Sequence, residues 1–145
     1  MPKDASRPTV QHRPGQVTAG WQVMLGAGWT AAFFAFAAVW KTSQDIGIGT
    51  WWLGARAQPQ SVTIKIIPFV LPIVIGLAAI YNLRRVALIS LAGSLGVALI
   101  AVFDMSRSGG LAAIEFAIAA SVALISVGAF TGTYRATTPG SVSAS

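Results

Sequence analysis

The chain contains no cysteine, and its single histidine, His12, stands in a polar stretch near the start. Without thiols there can be no disulfide, thiolate metal site, iron–sulfur cluster or Cys-linked lipid. One imidazole outside the apolar runs cannot supply bis-His haem ligation within them, nor a three-His zinc site. Charge is almost as scarce. Only 10% of the 145 residues are Asp, Glu, Lys or Arg, against roughly 25% in a typical soluble domain. A water-facing surface cannot be built from so few charges. Also missing are a Walker loop, a dinucleotide fingerprint, a nucleophile elbow and an HExxH motif. The glycines of GIGTWWLG (47–54) have the wrong spacing for phosphate binding. With so few convergent polar groups, neither catalysis nor a cofactor is expected. A lipid-modifying enzyme using Asp45, Asp104 or Glu115 is the weakest of the functions considered.

What the chain has instead is apolar length. The apolar fraction is 54% and the mean hydropathy is +0.69. Four long runs carry it: 20–40, 66–83, 86–103 and 111–133. The first has no charge over 21 residues, which at 1.5 Å per residue spans the ~30 Å of a bilayer's hydrocarbon. Trp21 and Trp40 bracket it as aromatic-belt residues do. Ala35-Phe36-Ala37 mimics a signal-peptidase site, but the run exceeds an ordinary signal core, and a retained span is expected. The expected fold is therefore an all-α integral membrane protein, with four transmembrane helices in a small up-down bundle.

Between the runs lie short polar turns and one long connection. Arg84 and Arg85 separate the second and third spans, which predicts a tight helical hairpin. Residues 41–65 form the outer connection, rich in Trp and Gly, and Trp51 and Trp52 within it are expected as interfacial anchors with their N–H groups wet. A sharper alternative makes this connection a lid over an outward-facing cavity. Residues 1–19 and 134–145 are polar and lack apolar periodicity, and both are expected to be loose tails. Net charge is +6, but the basic residues sit between the apolar runs rather than in a stripe, so nucleic acid is not expected as a partner. Six of them fall on the side of the termini and four on the other, and the positive-inside rule then places both termini in the cytoplasm. The Ala/Gly/Val-rich, Lys-poor composition suits a high-GC bacterium and its cell membrane.

Few residues in the spans could carry chemistry. Glu115 falls about four residues into the fourth run, ~6 Å below the boundary. An ionised side chain at the bilayer centre costs roughly 2.5–3.5 kcal/mol on insertion scales, and less near an interface. Protonation, an ion pair or a wet cavity would offset that. Asp104 ends the third run and should approach Glu115 across the hairpin. Arg107 and Lys65, with Arg56 and Lys41, lie on the same side, so Glu115, Asp104, Arg107 and Lys65 form the expected polar cluster. Pro68 and Pro72 predict a kink or a late start in the second helix. Asn82 is expected simply to end it. Stripes of small residues, Ala27/Ala31/Ala35, Ser90/Ser94 and Ala113/Ala117/Ser121, allow close helix packing, inside the bundle or against another subunit. The expected function is a non-catalytic accessory, scaffold or assembly subunit of a membrane complex, with the bilayer and other subunits, or further copies of itself, as partners. The alternative is a small oligomeric transporter or channel that handles protons or cations at Glu115.

Overall fold

The structure, a computed structural model, describes residues 13–134. Four α-helices account for most of them: α1 (Ala19–Ile46), α2 (Val62–Ile80), α3 (Val86–Asp104) and α4 (Gly109–Ala129), the last continued by a short 3₁₀ turn at Phe130–Gly132. Each of the four is long and apolar enough to cross a membrane. They pack in a ring in which α1 touches α2 and α4, and α3 touches α4 and α2. A bundle of this kind has two ends, here called the loop end and the terminal end.

Helix α1 runs 28 residues, six beyond the predicted boundary at Trp40. The extension carries polar residues that hydropathy alone assigns to a loop. Lys41 and Asp45, one helical turn apart, pair at 2.7 Å and support the added turns. The helix stops at Gly47, whose left-handed backbone (φ 73°) turns its N–H back to the Ser43 carbonyl, a conformation glycine adopts without steric cost.

Helix α2 begins at Val62, after Ser61, so the late start considered for the proline segment does not occur. Pro68 and Pro72 lie inside the helix and are buried. Each lacks the N–H that would bond four residues back, which leaves the carbonyls of Ile64 and Pro68 without their helical donors.

The core has two apolar parts. At the loop end, Phe33, Phe36, Trp40, Trp52 and Phe69 pack mostly edge to face, with Phe69 at the centre, 5.2 Å from Phe33 and 6.0 Å from Trp52 between ring centroids. At the terminal end, Val17, Leu25, Ala79, Val86 and Ala129 close the bundle. Between them Gly93 is a site of close approach. A Cβ there would run into Ile75 and lie 3.1 Å from the Trp29 ring.

The described ends of the chain are held against the bundle. Residues 13–18 form a strap across the terminal end, where the loose tail 1–19 was expected. Val17 bridges Thr133 in antiparallel fashion. Gly15 N–H donates to Tyr134 O, Tyr134 N–H to Gln16 O and Thr18 N–H to Gly132 O, each at 2.9 Å. The physical reason is local pairing: a short extended segment finds backbone partners on the chain leaving α4. The rest of both expected tails, residues 1–12 and 135–145, lies outside the described residues.

Candidate functional site

The site lies at the loop end and is built by three segments. The turn between α3 and α4 folds back on Asp104, whose carbonyl accepts the N–H of Arg107 at 3.0 Å and of Ser108 at 2.8 Å. Ser108 then caps α4 through Leu111 N–H. That tight reversal sets Asp104, the last residue of α3, beside Glu115, near the start of α4. The two carboxyls are close enough to act on each other. Both residues are 0% exposed.

The third segment is the connection after α1. Leu53 N–H donates to Thr50 Oγ1 at 3.2 Å and Gly54 N–H to Thr50 O at 2.9 Å. This turn is continued by a two-residue hairpin ladder, Gly54–Ala55 against Gln58–Pro59. Its effect is to drive Trp52 into the bundle. Trp52 Nε1–H donates to Glu115 Oε1 at 3.1 Å, and Trp51 N–H donates to Asp104 Oδ1 at 2.6 Å. The Trp51 indole reaches Ile100 O at 3.2 Å. Four polar groups from three segments thus meet at one buried point. One oxygen on each acid, Asp104 Oδ2 and Glu115 Oε2, has no hydrogen-bond partner. Buried polar atoms are rarely left so. Protonation of either acid would turn its free acceptor into a donor.

The structure brings together only part of the expected cluster. Asp104 and Glu115 meet. Arg107 is exposed on the α3–α4 turn and acts on Asp104 as a separated charge. Lys65 lies on the first turns of α2, along a surface cleft of about 230 Å³ that also takes in Arg56. Among the described residues the only ion pair within 4.0 Å is Lys41–Asp45. The tryptophans also part from the expected interfacial placement. Trp51 is half-buried, while Trp52 is enclosed by Phe36, Trp40 and Phe69 and its N–H meets a carboxyl rather than water. A buried acceptor ready for the indole is what favours that position over the headgroup layer.

A second polar group lies deeper. Trp29 Nε1–H donates to Ser90 Oγ at 2.7 Å, Ser90 and Ser126 hydroxyls lie 2.6 Å apart, and Ser126 donates to Val122 O at 2.6 Å. Because the Ser126 hydrogen is committed to Val122, the Ser90 hydroxyl donates to Ser126. Every donor in this chain is used, and it ties α1, α3 and α4 together. Sequence reasoning saw Ser90 only as a small residue, and passed over Trp29 and Ser126.

On the outer face of the bundle, Gly28, Ala31, Ala35, Ala117 and Ser121 line a shallow apolar groove of about 290 Å³ between α1 and α4. Two residues from each of two small-residue stripes, Ala31 and Ala35 with Ala117 and Ser121, thus fall on one groove, and Ala31 is exposed in it. Comparison of the chain with protein-family models, with curated proteins and with solved structures finds no match.

Proposed function

We propose that this protein is a non-catalytic membrane subunit, an accessory, scaffold or assembly element of a larger complex. The observation that carries the reading is the enclosure of the acid pair. Asp104 and Glu115 are fully buried and spend one oxygen each on N–H groups of the chain's own loop. Buried polar groups so arranged fix a conformation, here that of the loop against the bundle. The Trp29–Ser90–Ser126 chain does the same for three helices. The groove of small residues between α1 and α4 supports a partner helix, since such stripes let backbones approach closely. Solubilising the native membrane in mild detergent and isolating the tagged chain tests this. A larger protein recovered in fixed stoichiometry is the expected result. Recovery only as a homo-oligomer would overturn it.

A second reading is favoured by the oxygens left without a partner. Asp104 Oδ2 and Glu115 Oε2 offer a place for one exchangeable proton, as a small oligomeric transporter would need. In that case Glu115→Gln abolishes transport while the fold survives, because an amide cannot titrate. In the subunit reading the same variant still assembles with its partner.

A further inference from the structure

The terminal end carries positive charge that nothing in the described chain neutralises. Arg13, Arg84 and Arg85 are exposed there. None of the three guanidinium groups has an ion-pair or hydrogen-bond partner among the described residues. The three acidic side chains among those residues, Asp45, Asp104 and Glu115, all belong to the loop end. Arg13 and Arg84, with Pro14, Tyr81 and Leu83, line a cleft of about 440 Å³.

The cleft is built by unusual backbone. Asn82 (φ 45°) and Arg85 (φ 65°) both take left-handed conformations in the α2–α3 turn. Such residues persist only where their surroundings hold them. The strap does the holding. Asn82 clamps Val17 through both ends of its amide, accepting from Val17 N–H at 3.0 Å and donating to Val17 O at 2.9 Å. Arg85 N–H donates to Gly15 O at 2.8 Å, and Gln16 Nε2–H donates to Asn82 O at 3.2 Å. The stems of Arg84 and Arg85 pack over Gly15, within 3.3 and 3.7 Å of where its Cβ would stand. The two arginine stems are therefore fixed against the strap that carries Arg13. Beside the cleft, Ile80, Tyr81 and Leu83 are 62%, 73% and 47% exposed, an apolar border with one phenol.

We propose that this cleft seats the phosphate of an anionic membrane lipid. The inference rests on the four helices being membrane spans and not on the subunit reading above. A guanidinium forks onto phosphate oxygens in bidentate fashion, and basic pockets at the ends of membrane helices bind anionic headgroups. Ile80 and Leu83 lie where acyl chains would continue from the headgroup, and the Tyr81 ring suits the headgroup layer. A free phosphate compound shares the headgroup chemistry but has no use for that apolar border.

Native mass spectrometry of the full chain in mild detergent tests this, with phosphatidylglycerol and phosphatidylcholine of matched acyl chains. Selective retention of one phosphatidylglycerol is expected. Arg13→Gln with Arg84→Gln should weaken it roughly twenty-five-fold, about fivefold for each arginine near the headgroup layer. Arg13→Lys with Arg84→Lys should weaken it less than the Gln pair, since the charge stays and only the bidentate fork is lost, and Arg56→Gln with Lys65→Gln, at the other end, should leave it unchanged. If the double Gln variant fails to fold, the Arg84→Gln single variant carries the comparison. Equal retention of the two lipids, or unchanged binding in the folded Gln variant, would overturn the proposal. Glycerol phosphate is expected not to displace the lipid. Displacement at equal concentration would instead make the site one for a soluble phosphate compound.

Discussion

Glu115 owes its place to a donor that no helical pattern announces. Its position four residues into an apolar run, and the short hairpin to Asp104, were legible because helix rise and turn length fix both. The indole of Trp52 was not, since the path of an irregular loop depends on the Thr50 turn and on an acceptor 63 residues away. The resulting geometry makes two substitutions at one position behave differently. Glu115→Gln keeps a carbonyl oxygen for Trp52 and adds an NH₂ that can donate to Asp104, so the melting temperature in detergent should change little. Glu115→Ala removes the acceptor, and a buried indole N–H left unsatisfied costs roughly 1–3 kcal/mol before any cavity is counted. Equal melting temperatures for the Gln and Ala variants would show that the Trp52 contact contributes nothing. Ser90→Ala is the matching test in the deeper chain. It leaves Trp29 without an acceptor, and hydrogen bonds between membrane helices average ~0.6 kcal/mol with a maximum near 1.7. A loss of stability in that range is expected. No loss would mean that the Trp29 indole finds another partner.

At the scale of elements, the four helices were legible and so were the ends of α3, expected at 86–103 and found at Val86–Asp104, while the end of α1 was not. Hydropathy located all four runs, because continuous apolar length is the signal that a bilayer imposes. It placed the end of α1 too early, since Lys41 and Asp45 read as loop residues singly and as helix residues only when paired. It missed the strap altogether. Residues 13–18 have neither apolar periodicity nor length, and their hydrogen bonds lead to the 82–85 turn and the 132–134 segment, far along the chain. Asn82, expected only to end α2, is the residue that joins these pieces. Replacing it by Gly keeps the left-handed backbone available and deletes both bonds to Val17. Hydrogen exchange at the Val17 amide should accelerate while the four helices stay protected. The loss should amount to ~1–3 kcal/mol, from two bonds worth roughly 0.5–1.5 each. Unchanged exchange at Val17 would show that the backbone pairing to Thr133 and Tyr134 holds the strap without Asn82.

For the molecule as a whole, the acidic charge of the described residues is confined to one end. The described acidic residues lie at the loop end, and Arg13, Arg84 and Arg85 at the terminal end. Four helices with a two-ended arrangement require the strap and the α2–α3 turn on one side, and the hairpin loop and α3–α4 turn on the other. That pairing follows from hydrogen bonds such as Arg85 N–H to Gly15 O, 2.8 Å, and holds whichever way the protein inserts. The orientation itself comes from the loops. Arg84 and Arg85 stand in a turn of a few residues between two spans, where basic residues oppose translocation most strongly, so the terminal end should face the cytoplasm. The native chain has no cysteine, which makes single introduced thiols clean reporters. Gln58→Cys and Ser106→Cys, at exposed positions of the loop end, should react with an impermeant maleimide in intact cells. Pro14→Cys, exposed on the strap, should react only after permeabilisation. Labelling of Pro14→Cys alone in intact cells would reverse the orientation and keep the architecture. Opposite behaviour of Gln58→Cys and Ser106→Cys would break the architecture itself, because an odd number of crossings would then separate two turns that the four-span bundle places on one face.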